Sequence, residues 1–364
     1  MGELTPFWKR LDWVLLLFAL PLVGIGLKLV SEISEKLYLK ELTYLGVGTF
    51  LFLLILFIPL RKLLWVVPFL YWGNVLLLGL VDLIGISKLG AKRWLEIPFT
   101  SFTIQPSEFM KTTLLLMLGF LVYRYPPRPV YTFTDFAKLV LYILIPFFLI
   151  AKEPDLGTAL IILIVGFGVL FIVGVDRRIW IGLAILGVVV VPIGYKYLLK
   201  DYQKRRIEAF IHKPSYHVRQ SMIAIGSGGI TGKSVRDATQ TQLKFLPIAS
   251  SDFIFAYFAE RFGFIGVVGL IFLYFSFITY LLYRANKFRE DYLAKVIYGG
   301  VAFLLFVYSF VNIGMTIKMA PVVGIPLPMV SYGGTSFLTF VVLLGILENL
   351  VARRGDFLYS YGVK

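Results

Sequence analysis

The sequence contains no cysteine. No disulfide can staple an external loop, and neither thiolate chemistry nor a cysteine-ligated zinc site is open to this chain. Histidine is nearly as scarce: His212 and His217 have no third His or Cys to complete a zinc site. Charge is scarce too. Only 16% of the 364 residues are Asp, Glu, Lys or Arg, against 59% apolar residues and a mean hydropathy of +0.84. A soluble domain of this length has too little interior to hide that much apolar surface.

What is present is a series of apolar runs. Crossing a bilayer as a helix takes about 18–20 such residues. Several runs reach that length, and ten spans can be counted, at about 12–30, 42–60, 63–82, 107–123, 137–151, 156–174, 178–198, 253–283, 296–317 and 335–352. Backbone groups in lipid must pair within their own segment, so the runs predict helices. The expected fold is all-α, a single polytopic membrane domain over residues 1–364 with ten transmembrane helices. The first run is long for a signal-peptide core and lacks a small-residue cleavage pattern, so it reads as a retained helix. The eighth is too long for one crossing. Residues 262–283 suffice to cross, and 252–261 read as a helical extension at the membrane surface.

The charges orient the bundle. Lys and Arg total 36 against 21 acids, a formal charge of +15. The excess sits on alternate connections: Lys9/Arg10, Arg61/Lys62, Arg124/Arg128/Lys138, Arg177/Arg178, Arg284/Lys287/Arg289/Lys295 and Arg353/Arg354. That pattern marks a cytoplasmic face, places both termini in the cytoplasm and leaves no need for a nucleic-acid partner. One outer loop breaks the pattern. Residues 199–251, between the seventh and eighth helices, hold nine Lys/Arg and three Asp/Glu. A long loop can escape the rule; alternatively this loop, with Arg93 nearby, receives an anionic ligand. The tail at 355–364 suggests no role.

With this topology the fourth, sixth and eighth helices all begin on the outer side, and each opens on a carboxylate. The fourth opens QPSEFMK with Glu108 and Lys111, the sixth KEPDLGTA with Lys152, Glu153 and Asp155, and the eighth SSDF with Asp252. Acids in a first helical turn suit the macrodipole by themselves. Lys111 and Lys152 do not, unless an anion answers them. Acids and cations converging at a membrane boundary read as a site for a charged substrate. The stretch GSGGITGKS imitates a phosphate loop but has Ser227 where the pattern needs glycine, and no strand precedes it. Gly228 and Gly229 in that stretch, and Ser331, Gly333 and Gly334 in the Pro/Gly-rich VSYGGTSF, are candidate ligand contacts from loop backbone. Glu260 and Arg261 read as an interfacial ion pair.

GAKRWL, IQPSEFMK, EPDLGTAL, QSMIAIGSGGITGK, FLPIASSDFIFAYFAERFGFIG, NIGMT and VVGIPLPMVSYGGTSF follow one another along nearly the whole chain. In content and order they resemble the SEDS family (shape, elongation, division and sporulation), and the IPLP and AERFGFIG forms look more like its rod-shape branch than its division branch. The resemblance implies a ten-helix peptidoglycan glycosyltransferase that polymerises lipid II on the outer face of the bacterial inner membrane. It also implies a class B penicillin-binding protein as transpeptidase partner, and a divalent cation, Mg2+ or Mn2+. It carries the family's essential aspartate onto Asp252, its acid–lysine pair onto Glu108 and Lys111, and its PDLG aspartate onto Asp155. The chain departs from the family's usual LPE-x-H-T-D at Ile248, Ser250 and Ser251, and has Lys318 where glycine is usual.

The chemistry expected is attack of a sugar hydroxyl on an anomeric carbon that bears a pyrophosphate leaving group. Asp252 is the expected general base, with a metal-ligand role as the alternative. Lys111, Lys152, Arg93 and Arg219 are the candidate cations for the leaving group. A lipid II flippase and a non-catalytic scaffold for the transpeptidase are the competing classes. A transporter would place its site near the bilayer midplane.

Overall fold

The computed structural model describes residues 7–88, 91–96, 103–153, 155–197, 204, 208, 210–211, 214–238, 240, 249–288 and 290–353. Eleven helices of three turns or more dominate them: α1 (Trp13–Ile33), α2 (Glu35–Phe57), α3 (Val67–Ile84), α4 (Pro106–Arg124), α5 (Phe133–Lys152), α6 (Leu156–Val173), α7 (Arg177–Tyr197), α8 (Tyr216–Ser227), α9 (Ile254–Lys287), α10 (Tyr292–Thr316) and α11 (Gly334–Ala352). Nine helices among the described residues are long and apolar enough to cross a membrane. The chain is a multi-pass membrane protein. α4 has the length, but Glu108, Lys111, Thr112 and Thr113 fill its first turns. Most of it is buried by protein instead, against α3, α10 and α11.

α10 is the central post, packed against α9, α6 and α4. In lipid, helices associate through close van der Waals contact, which small residues permit. Gly168 of α6 lies beneath the Phe303 ring and Gly300 of α10 beneath Leu115 of α4; a methyl group at either would sit about 2.5 Å or less from its neighbour. α11 packs on α2, and α7 stands at the edge with no buried residue. The orphan carbonyls at the end of α2 are answered from α11: Asn349 Nδ2 donates to Ile55 O at 2.7 Å and to Ile58 O at 2.6 Å. At the same end Asp12 pairs with Arg284 at 3.1 Å.

Three local differences from the sequence reading have physical reasons. α2 begins at Glu35 instead of near 42, because Ser34 alone makes the turn: it ends α1 and its Oγ accepts from Leu37 N. The all-α expectation misses a small sheet in the connection before α4. Strands β1 (Ile86–Lys88), β2 (Ala91–Glu96) and β3 (Thr103–Ile104) form a small antiparallel sheet in the order β1-β2-β3. And the extension at 253–260 is enclosed by protein throughout: all of these residues are buried.

The long eighth run does divide, at Gly263 (φ 63°, ψ −164°), a backbone conformation essentially restricted to glycine. The kink receives the GGITG segment edge-on. Phe264 N donates to Gly229 O at 2.9 Å and Ile265 N to Ile230 O at 3.2 Å. A Cβ at Gly263 would fall 2.3 Å from Gly232 N. Gly263→Ala is expected to cost about 2–5 kcal/mol through backbone strain and overpacking, read as a lower unfolding midpoint in detergent. A loss under about 0.5 kcal/mol would contradict this account of the kink.

Candidate active site

Asp252 sits in the turn that leads into α9, half-buried. Its position is fixed through its backbone. Asn312 Nδ2 on α10 donates to Asp252 O at 2.9 Å and to Ile325 O at 2.6 Å. Ser331 Oγ donates to Ser251 O at 2.6 Å and accepts from Leu327 N at 2.7 Å. Tyr332 N donates to Ser250 O at 2.8 Å. The IPLPMVSYGG loop is thereby stitched to the SSD turn, as irregular backbone at membrane depth requires. Gly324 backs onto the carboxylate: a Cβ there would stand 3.3 Å from Asp252 Oδ2.

One helical turn earlier, α10 carries Tyr308, on the same face as Asn312. The Lys111 ammonium donates to the Tyr308 hydroxyl, lies 4.6 Å from the centre of its ring and pairs with Glu108 Oε1 at 2.5 Å. The two charged side chains are only 2% and 9% exposed. A buried ammonium is tolerable only with such partners. Lys111 is therefore a strut between α4 and α10, and α10 in turn holds the Asp252 turn.

Asp155 is the N-cap of α6: Oδ1 accepts from Thr158 N at 3.2 Å. Its Oδ2 faces Gln105 Nε2 and the Arg93 guanidinium, each at 3.4 Å. β2 is what brings Arg93 there. Two residues back, Glu153 is buried with no hydrogen bond to either carboxylate oxygen. Burial, together with Asp155 and Asp82 and against Arg93, pushes it up to about 8.

Other candidates lie elsewhere. Lys152 turns out toward Asp82 at 2.6 Å and is 70% exposed. Lys152→Met is accordingly expected to leave glycan synthesis within about threefold of wild type, since an exposed pair contributes little; a tenfold loss would return Lys152 to the site. Arg219 is exposed on α8, which is tied to α10 by Ser221 Oγ donating to Thr316 O at 2.8 Å. Gly228 packs on the α9 backbone, where a Cβ would be 2.1 Å from Ala259 O; Gly229 accepts from Phe264 N. Gly333 caps α11, and Gly334 makes room for the Tyr44 ring.

Arg261 does not pair with Glu260. Adjacent residues on a helix diverge, so Arg261 reaches Glu32 at the end of α1, at 2.8 Å and 3.0 Å. The buried Glu260 accepts from Gln240 N at 3.1 Å. Of the two histidines, His217 lies beside the Phe253 ring, and His212 is outside the described residues, as is Ile248. Ser250 and Ser251 contribute their carbonyls to the stitching. Sequence reasoning passed over Tyr308, Asn312 and Gln105. Asn312 lies in the quoted NIGMT, and a buried Asn inside an apolar run was the available signal.

A helical membrane bundle with buried charged groups gathered near one end of its central helix defines a polytopic membrane protein with a polar cluster inside its helices. The chain belongs to the SEDS family: the model of FtsW, RodA and SpoVE, described as cell cycle protein, matches residues 9–355. Among its relatives, a peptidoglycan glycosyltransferase MrdB of Helicobacter pylori is 51% identical, over 97% of this chain and 93% of that protein. A peptidoglycan glycosyltransferase MrdB of Escherichia coli K12 is 35% identical, over 96% of each. A solved structure on the coordination of polymerization and crosslinking by a peptidoglycan synthase complex aligns with a TM-score of 0.81 at 28% identity, covering 94% of this chain and 98% of that one. The Thermus thermophilus rod shape determining protein RodA aligns at 0.72 and 28%, covering 96% and 99%.

Proposed function

We propose that this chain is a peptidoglycan glycosyltransferase that polymerises lipid II into glycan strands during cell elongation. Relatives at 51% and 35% identity carry that enzyme name. The observation that carries the reading is the tie between charges on α10: Asn312 fixes the Asp252 turn and Tyr308 receives Lys111.

The chemistry needs a base, a rigid site and cations. The acceptor sugar hydroxyl is a poor nucleophile until its proton is taken, and a placed carboxylate supplies about 10²–10⁴-fold. Asp252 takes that proton; a single displacement at the anomeric carbon inverts it. Glu108 and Lys111 hold α4 to α10 and set the local field. Arg93, oriented by Asp155, meets the departing pyrophosphate. Ser331, Gly333 and Gly334 shape the loop over Asp252. Arg219, Gly228 and Gly229 lie beyond this cluster and bear on the substrate through the outer loop.

The resemblance also implies Mg2+ or Mn2+. Among the described residues no group of three or more Asp, Glu or His side chains could enclose an ion. Such ions bind through one or two carboxylates with substrate phosphates and water, and the half-buried Asp252 carboxylate fits that mode. When bound, the ion would neutralise charge on the pyrophosphate.

In the membrane, α4 makes the tenth crossing with both termini cytoplasmic, and the site opens on the outer face of the bacterial inner membrane beside loop 199–251. The basic residues on alternate connections support this orientation. The partner is a class B penicillin-binding protein, as the resemblance to a synthase complex that couples polymerization to crosslinking suggests. Purified protein with lipid II and no other polymerase tests the reading. Glycan chains are expected. Lipid movement across liposomes without polymer would make the protein a flippase; partner binding without either would make it a scaffold.

A further inference from the structure

Among the described residues, Glu153 is a buried titratable group beside the Arg93–Asp155 pair to which the proposed reaction gives no task. It follows the last residue of α5, two positions before Asp155, and is 2% exposed. Both carboxylate oxygens lack a hydrogen-bond partner. A carboxyl group in that position is costly as an ion and much less so as a neutral acid. The charged groups around it are Arg93 from β2, Asp82 near the end of α3 and Asp155 before α6. Lys152, beside it in sequence, is engaged by Asp82, and Lys111 of α4 lies within electrostatic range of Asp155.

The Arg93–Asp155 contact is loose. At 3.4 Å it is well beyond the roughly 2.7–2.9 Å of a strong charge-assisted bond. A second carboxylate in range is a competitor for the same guanidinium. We propose that Glu153 is a proton-controlled positioning residue: as a neutral acid it leaves Arg93 to Asp155, and as a carboxylate it draws the guanidinium away from its place in the site. This rests on the reading of Arg93 as the cation that meets the pyrophosphate.

Burial and the neighbouring Asp155 and Asp82 raise Glu153 from 4.5 to about 8. Between those values the folded protein keeps a proton that the unfolded chain has released. The contribution to stability is therefore full below 4.5 and is lost as pH rises through about 8. The Arg93–Asp155 arrangement persists below that pH and gives way above it.

The test uses the full chain in lipid nanodiscs, with each variant compared with its own value at pH 7. Wild-type kcat/KM for lipid II is expected to fall about tenfold from pH 7 to pH 9, as a group titrating near 8 passes from about nine-tenths to one-tenth protonated. E153Q and E153L, which cannot ionise, should lack that limb. An equal fall in wild type and both variants would overturn the proposal. Infrared titration needs no turnover: a component of the protonated-carboxyl band should be lost near pH 8 in the wild type and be absent from E153Q. Its loss only in the ordinary carboxylate range would also overturn the proposal. If wild type makes no glycan at any pH, it is the polymerase reading that fails. Affinity for undecaprenyl pyrophosphate then decides the proposal: it should weaken about tenfold over the same pH range in wild type and not in E153Q, and a parallel change in both would refute it.

Discussion

Asp252→Asn is expected to reduce glycan synthesis by the purified protein by at least about 10²-fold while changing folding stability by less than about 1 kcal/mol. The substitution keeps the side chain's size and removes its negative charge and with it its capacity to accept a proton. What holds the turn in place is untouched, because Asn312, Ser331 and Tyr332 all grip backbone carbonyls of residues 250–252. Insertion into the membrane and binding to a transpeptidase should be as in wild type. Consumption of lipid II measures the effect, and a rate within a few-fold of wild type would remove Asp252 from the chemistry.

Lys111→Met should lose both activity and stability, for a different reason. Removing the ammonium leaves Glu108 as an uncompensated buried carboxylate and takes away the link to Tyr308. Breaking one half of a buried pair costs about 3–5 kcal/mol, whereas replacing both halves with uncharged residues of similar volume is often nearly neutral. The double variant Glu108→Gln/Lys111→Met should therefore recover most of the unfolding midpoint in detergent. It should not recover glycan synthesis, because the strut that sets α10 and its Asn312 against the Asp252 turn is still missing. Recovery of both would reduce the pair to a packing device. Recovery of neither would mean that the single variant fails for reasons other than the orphaned charge.

The helices were legible because lipid imposes a coarse rule: each crossing must be long, apolar and internally hydrogen-bonded. Most of the observed ends fall within a few residues of the apolar runs. The exceptions arise where polar side chains do local work. Ser34 turns the chain in one residue, so α2 starts earlier than its hydropathy. In α4 charged residues sit inside the protein, so hydropathy alone understates it. In the site, acids were visible because a carboxylate at a membrane boundary stands out against an apolar background. Their partners were not. Tyr308 and Asn312 act through a spacing on one helix face that has meaning only once α4, α9 and the IPLPMVSYGG loop are known to meet it. Lys152 and Lys111 look alike as cations near helix ends, yet one turns outward to Asp82 and the other is buried on α10. The orientation of a long side chain depends on which neighbours offer an anion, and that is a property of the packed fold. GSGGITGK was suggestive of phosphate contact, but Gly228 and Gly232 are explained by the close approach of the chain to α9 at its kink, and Gly229 by its positive φ of 58°.

The central claim is that lipid-linked substrate reacts at the Asp252 turn, in a site set by the Glu108–Lys111–Tyr308 strut. A structure of the Asp252→Asn protein holding unreacted lipid II tests it most directly. The account predicts the acceptor sugar hydroxyl within about 2.6–3.2 Å of the amide that replaces the Asp252 carboxylate, and pyrophosphate oxygens beside Arg93. Headgroups bound at the opposite end of the bundle, near Asp12 and Arg284, or at the bilayer midplane between helices, would contradict it.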